Sequence, residues 1–81
     1  MFYVYVLRSV KSQRFYTGHT DDVDDRLVRH NQDRVPSTRK RGPWVLLFTR
    51  EFETRAEAVQ FERYLKSLKG NKTFRRIIGV E

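Results

Sequence analysis

Cysteine is absent from the 81 residues, so no disulfide braces this chain and its fold rests on burial and hydrogen bonding. That absence is compatible with a reducing compartment. Long hydrophobic runs are missing too: nothing approaches the roughly 18 consecutive apolar residues that a membrane span requires. The apolar run from Phe2 to Leu7 is ended by Arg8, with no basic segment before it and no small-residue cleavage site after it. It reads as a strand and not as a secretory signal, and a cytoplasmic location without membrane attachment is the expectation. There is no internal repeat and no linker, so residues 1–81 are expected to form one compact domain. Acidic residues are in deficit, 10 Asp and Glu against 17 Lys and Arg.

A chain this short buries about 60% of its surface on folding, which leaves little margin. Six Phe, four Tyr and one Trp supply large buried areas from few residues. The net charge of +7 gives the molecule a field that attracts polyanions, which makes nucleic acid the leading class of partner. The same charge also suits a domain whose lysines and arginines only solvate it.

Residues 2–8 are almost continuously β-branched, aromatic or leucine. The polar stretch Ser9 to Arg14 interrupts them, and a second short strand follows through Phe15 and Tyr16 to Gly18. Thr20 or Asp21 is expected to cap a first helix that runs to about Asn31, with Asp22, Asp24 and Asp25 near its positive end. Asp33 to Pro43 carries Pro36, Gly42 and Pro43 among basic residues and reads as an exposed loop with neither helix nor strand. Trp44 to Phe52 gives a third strand. Thr54 with Glu57 three residues on makes a capping box for a second helix to about Leu68, stopped by Gly70. Lys72 to Ile78 reads as a last short helix. This order, β-β-α-β-α-α, predicts an α+β fold in which a three-stranded, mainly antiparallel sheet is flanked by helices.

Several polar residues sit where apolar ones are expected. Helical stepping puts His30 within about 40° of the centre of the first helix's buried stripe and Arg26 near its edge. An intrahelical cluster of Asp22, Arg26 and His30 would explain both as structure. Glu62 lies roughly 80° from the stripe of the second helix, where an ordinary ion pair with Lys66 at a spacing of four would account for it. Tyr5 and Tyr16 fall on adjoining strands, where core packing is an adequate explanation. Gly18 leaves space beside whatever approaches their hydroxyls.

Together these residues resemble the paired signature of the GIY-YIG nuclease superfamily: Tyr3-Val4-Tyr5, then Tyr16-Thr17-Gly18. The likeness extends to Arg26 and His30, to Gly42-Pro43-Trp44, and to Ala58, Glu62, Leu65 and Lys66. The Ser37-Thr38-Arg39 segment and the helical Phe61-Glu62-Arg63-Tyr64-Leu65-Lys66 resemble the small stand-alone bacterial members. Tyr3 and Thr17 depart from the residues that give the signature its name, while both tyrosines and the glycine are intact. The resemblance implies that Glu62 holds a single divalent metal, that Arg26 stabilises phosphate charge, and that Tyr5 takes a proton from attacking water with Tyr16 and His30 nearby. A carboxylate is a hard ligand suited to Mg²⁺ or Mn²⁺, and arginine's planar fork matches phosphate oxygens. A tyrosine with a pKa near 10 needs a lowered pKa to act as a base, for which Arg26 and the metal are the available causes.

Arg34, Arg39, Lys40 and Arg41 on the loop, with Lys66, Lys69 and Lys72 later, are the expected nucleic-acid contacts. No side chain resembles a dedicated base reader, so selectivity for structure over sequence is expected, with DNA favoured over RNA. The leading reading is therefore a metal-dependent endonuclease. The alternatives are a binding module with weak or no turnover on the same fold, and an accessory subunit of a larger protein partner.

Overall fold

The computed structural model describes residues 1–80. The opening apolar run forms β1 (Phe2–Ser9) and the segment after the polar turn forms β2 (Phe15–Thr20). They are followed by α1 (Val23–Asn31), β3 (Trp44–Phe52), α2 (Arg55–Ser67) and α3 (Lys72–Ile78). The strands are antiparallel in the order β2-β1-β3, the α+β arrangement expected.

β1 lies in the middle of the sheet, so its alternating side chains are buried on both faces. Val4 and Val6 pack with Ala58 and Leu65 of α2 and Phe74 and Ile78 of α3. Tyr5 and Leu7 point the other way, to Trp44, Tyr16, Val23 and Leu27. Each helix is thus needed to cover one face of a single strand. In register, Tyr5 stands opposite Gly18 on β2, and Val4 opposite His19.

Two boundaries differ from expectation. The cap of α1 is Asp22, whose side chain accepts from the Asp25 N–H at 3.0 Å, and not Thr20 or Asp21. The reason is that β2 continues past Gly18, with His19 and Thr20 still paired to Val4 and Tyr3, so the chain is not free to turn into a helix earlier. The loop between α1 and β3 contains one 3₁₀ turn, Pro36–Thr38, with Pro36 at its start, where a missing N–H is harmless. The capping box of Thr54 and Glu57 on α2 is present as expected.

That loop is also held at several points. Asp33 accepts from the Lys40 N–H at 2.9 Å, and the buried Ser9 hydroxyl donates to the Arg41 carbonyl at 2.6 Å. Asn31 clamps its far end, donating to the Trp44 carbonyl at 3.1 Å and accepting from the Trp44 N–H at 2.7 Å. In consequence Thr38, in the middle of a stretch read as exposed, is 1% exposed.

Leu65→Ala removes a fully buried side chain from the α2 face, and we expect it to lower unfolding free energy by about 2–5 kcal/mol in a denaturant titration. Arg63→Ala, on the exposed side of the same helix, should change it by less than about 0.5 kcal/mol. Equal losses would contradict the packing described.

Candidate active site

The two signature tyrosines meet because β1 and β2 are neighbours. Their ring centroids are 6.2 Å apart, and the His30 ring lies 5.8 Å from Tyr5 and 4.7 Å from Tyr16. Gly18 makes the approach possible. A Cβ there would stand 2.8 Å from the Tyr5 hydroxyl oxygen and 3.1 Å from Tyr16 Cε2, so any side chain would displace one ring. Trp44 closes the cluster, its ring 6.4 Å from Tyr16 and 6.5 Å from His30.

His30 is wholly buried. Its Nε2 is 2.9 Å from the Tyr5 hydroxyl and its Nδ1 is 2.7 Å from the Thr38 hydroxyl. Burial, reinforced by the Arg26 guanidinium, pulls its pKa from 6.5 down to about 4, so the imidazole is neutral at pH 7. Burial also pushes the Tyr5 phenol well above its ordinary value, with Tyr16 and Glu62 adding to the rise and Arg26 opposing it. Arg26, one of the two causes named for a lowered Tyr5 pKa, does act in that direction, but desolvation outweighs it.

Arg26 is half-buried and forms no ion pair among the described residues. The intrahelical cluster expected around it is absent, because Asp22 is spent on the helix cap and Asp25 pairs with Arg29 at 2.8 Å. An arginine left without a carboxylate beside a buried phenol and imidazole is available to an anion.

Glu62 reaches the site from α2, the other side of the sheet. β2 is an edge strand, and its residue His19 meets the Glu62 carboxylate at 2.5 Å, while Lys66 holds the second oxygen at 2.6 Å. The expected pair with Lys66 is therefore real, but it is one of two contacts. Arg55 lies 3.3 Å from His19 Nε2 and donates to it, which leaves Nδ1 carrying the proton toward Glu62. Burial alone would raise the Glu62 pKa, but the hydrogen bonds and charges of Lys66 and His19 prevail and hold it below its ordinary value. Among the described residues no three of His, Cys, Asp and Glu converge as a ready metal cage. An ionised, part-exposed carboxylate fits a hard divalent ion that keeps its waters and takes further oxygens from a phosphate, provided Lys66 or His19 yields its place.

The expected basic contacts fall in two groups. Arg34, Arg39, Lys40 and Arg41 are exposed on the loop that also carries Thr38, and Lys72 is exposed at the start of α3. Lys66 and Lys69 line a groove of about 580 Å³ between the β1–β2 hairpin and the end of α2, which also includes Tyr16 and gains Arg14 and Arg75. His19, Arg55 and Thr38 were not singled out by sequence reasoning. His19 had a signal in strand alternation next to Gly18, whereas Thr38 was marked only as part of the Ser37-Thr38-Arg39 family segment, since a loop has no period from which to read a buried position.

Because folded His30 titrates below its unfolded value, the unfolded chain binds the extra proton first as pH falls. Its contribution to stability is full above about pH 6.5 and is lost progressively toward pH 4, a loss on the order of 3 kcal/mol. Denaturant titrations over that range should show this slope in the parent and a flatter one in His30→Gln; identical slopes would mean that His30 is not buried neutral.

Comparison with known proteins identifies the family. The GIY-YIG catalytic domain family matches residues 1–75. UPF0213 protein OB0043 of Oceanobacillus iheyensis is 39% identical over 67 residues, 82% of this chain and 77% of that protein. UPF0213 protein CPE1444 of Clostridium perfringens is 37% identical over 78 residues, 95% of this chain and 83% of its own length. The solution NMR structure of UPF0213 protein BH0048 from Bacillus halodurans superposes with a TM-score of 0.59 at 37% identity, covering 95% of this chain and 83% of that one. By that match over residues 1–75 and by relatives 37–39% identical over most of its length, the chain belongs to the GIY-YIG catalytic domain family.

Proposed function

We propose that this chain is a metal-dependent endonuclease that hydrolyses phosphodiester bonds in DNA, selecting structure over sequence. In this reading residues 1–81 act as one nuclease domain in the cytoplasm, in DNA repair or recombination. The observation that carries it is the meeting of a buried Tyr5–His30 hydrogen bond, an Arg26 with no carboxylate partner among the described residues and an ionised Glu62 around Gly18. No packing requirement explains all of them.

In the mechanism, Arg26 receives the scissile phosphate and offsets the negative charge that grows on its oxygens during attack. Tyr5 sits against His30 Nε2 and can take a water proton on its oxygen while passing its own proton to the imidazole. A relay of this kind needs no free phenolate, which the raised pKa of Tyr5 disfavours, and the imidazole, its own pKa pulled down to about 4, holds the proton only in passing. Tyr16 packs against the His30 ring and walls the tyrosine side of the site. Glu62 would hold the divalent ion, Mg²⁺ or Mn²⁺, and that ion when bound supplies Lewis-acid compensation of phosphate charge and a more acidic water. As the P–O bond to water forms, the bond to the leaving strand oxygen breaks; that oxygen takes up a proton from solvent, and His30 returns its proton through Tyr5 to solvent.

The occupation of both Glu62 oxygens by Lys66 and His19 favours a second reading, a binding module without useful turnover or an accessory to a larger protein. The two are separated by a cleavage assay with Mg²⁺ or Mn²⁺ on single-stranded, nicked, flapped and branched DNA and RNA. We expect cleavage by the parent and a loss of at least about 100-fold in Glu62→Ala, the scale of a lost catalytic electrostatic contact. Salt-sensitive binding by both proteins with cleavage by neither would select the binding module.

Arg39→Ala combined with Lys40→Ala should weaken binding on unrelated sequences alike and flatten the salt dependence by roughly one unit of log–log slope per lost phosphate contact. Binding that is unchanged at several salt concentrations would move the contact surface off this loop.

A further inference from the structure

The buried chain of hydrogen bonds does not end at His30. Thr38, from the 3₁₀ turn of the loop, meets the far ring nitrogen, and its hydroxyl lies 3.4 Å from the Val35 carbonyl. Tyr5, His30 and Thr38 are each no more than 1% exposed, so the protons of this chain must be placed on one another and not on bulk water. Only one assignment gives each of them an acceptor within the chain. Tyr5 O–H donates to Nε2, Nδ1–H donates to the Thr38 oxygen, and Thr38 O–H points to Val35. In the reverse assignment Nε2–H donates to Tyr5, whose own buried proton is then left without an acceptor in the chain.

We propose that Thr38 is a positioning residue: by accepting from Nδ1–H it fixes His30 in the tautomer whose Nε2 lone pair faces Tyr5, the form able to take the Tyr5 proton. This rests on the hydrolytic reading above. The other tautomer presents Nε2–H to Tyr5 and has no place for a proton, so the relay would stop. Thr38 touches neither phosphate nor water in this scheme and acts only through His30.

The same turn carries the basic side chains of the loop. Arg39, Lys40 and Arg41 follow Thr38 directly, and the Lys40 N–H and Arg41 carbonyl are tied to Asp33 and Ser9. The segment proposed to contact the phosphate backbone is thus also the one that holds His30 in this tautomer.

The test reads the tautomer and the reaction separately. In ¹⁵N-histidine-labelled parent protein, ring ¹⁵N shifts should report His30 Nδ1 as protonated and Nε2 as the bare, pyridine-like nitrogen. Thr38→Ser should keep this pattern, and Thr38→Val, near in shape but without an acceptor, should exchange the two signals or mix them. In the cleavage assay Thr38→Val should lose at least about tenfold in kcat with KM nearly unchanged, and Thr38→Ser should recover most of it. A parent with Nε2 protonated overturns the inference, as does Thr38→Val with a parental tautomer or with full cleavage. Because the parent spectrum is read directly, a valine variant that fails to fold does not shield the proposal. A parent with the expected tautomer that cleaves none of the substrates would sink the nuclease reading, and the catalytic part of this one with it, while the hydrogen-bond assignment stands.

Discussion

Everything in this small protein depends on β1 being covered on both faces. A middle strand with helices on each side must place every residue from Val4 to Leu7 in the core, and one of those residues is a tyrosine. A buried hydroxyl has to find a partner, and His30, on the helix that covers that face, provides it. Once His30 is buried in turn, its second nitrogen needs a partner as well, and the α1–β3 loop bends inward to supply Thr38. A chain of obligations thus runs from the strand order to a polar relay, each step forced by the cost of burying an unpaired polar group.

The division of charge follows from the same arrangement. The interior of the site is neutral: a phenol held protonated and an imidazole with its pKa pulled down to about 4. Its charges stand at the rim, Arg26 from α1 on one side of β2 and Glu62 with Lys66 from α2 on the other. Their fields meet over Gly18, because an edge strand with no side chain at that point lets groups from opposite faces act on one place. A neutral proton path with charges at its mouth suits a reaction in which a polyanion arrives and departs while a proton shifts inside.

The fold was largely legible because its determinants are local and periodic. The continuous apolar run of β1, the capping box of Thr54 and Glu57, and the stripe of Ala58, Phe61, Leu65 and Leu68 can each be read along the chain. The signature residues were legible for a different reason, their order and spacing as a family pattern. Two kinds of feature escaped. The start of α1 depended on how far β2 stayed paired, which is set by β1 and not by the residues Thr20 and Asp21 themselves. Thr38 and the His19–Glu62–Arg55 contacts depend on loop closure and on packing between residues up to 43 apart in sequence, for which helical or strand spacing gives no sign. The electrostatic state of Tyr5 belongs to this class: Arg26 was identified as a neighbour, but its effect could not be weighed against burial until the depth of Tyr5 was known.

A domain of this size has a net stability on the order of 4–12 kcal/mol, against which a buried triad of phenol, imidazole and hydroxyl, together with an arginine lacking a carboxylate, is a substantial liability. Apolar residues of similar volume would fill the space between β1, α1 and the loop at less risk, since each member of a buried polar network must keep its partner. A module that only binds a polyanion needs its exposed lysines and arginines and has no use for a proton path beneath them. The triad is costly for packing and idle for binding, but it suits a phenol that, in the proposed reaction, takes one proton from water and gives another to an imidazole. On that balance the interior of the site argues for chemistry more strongly than the basic surface does, since the surface would look the same in a protein that only held on to its ligand.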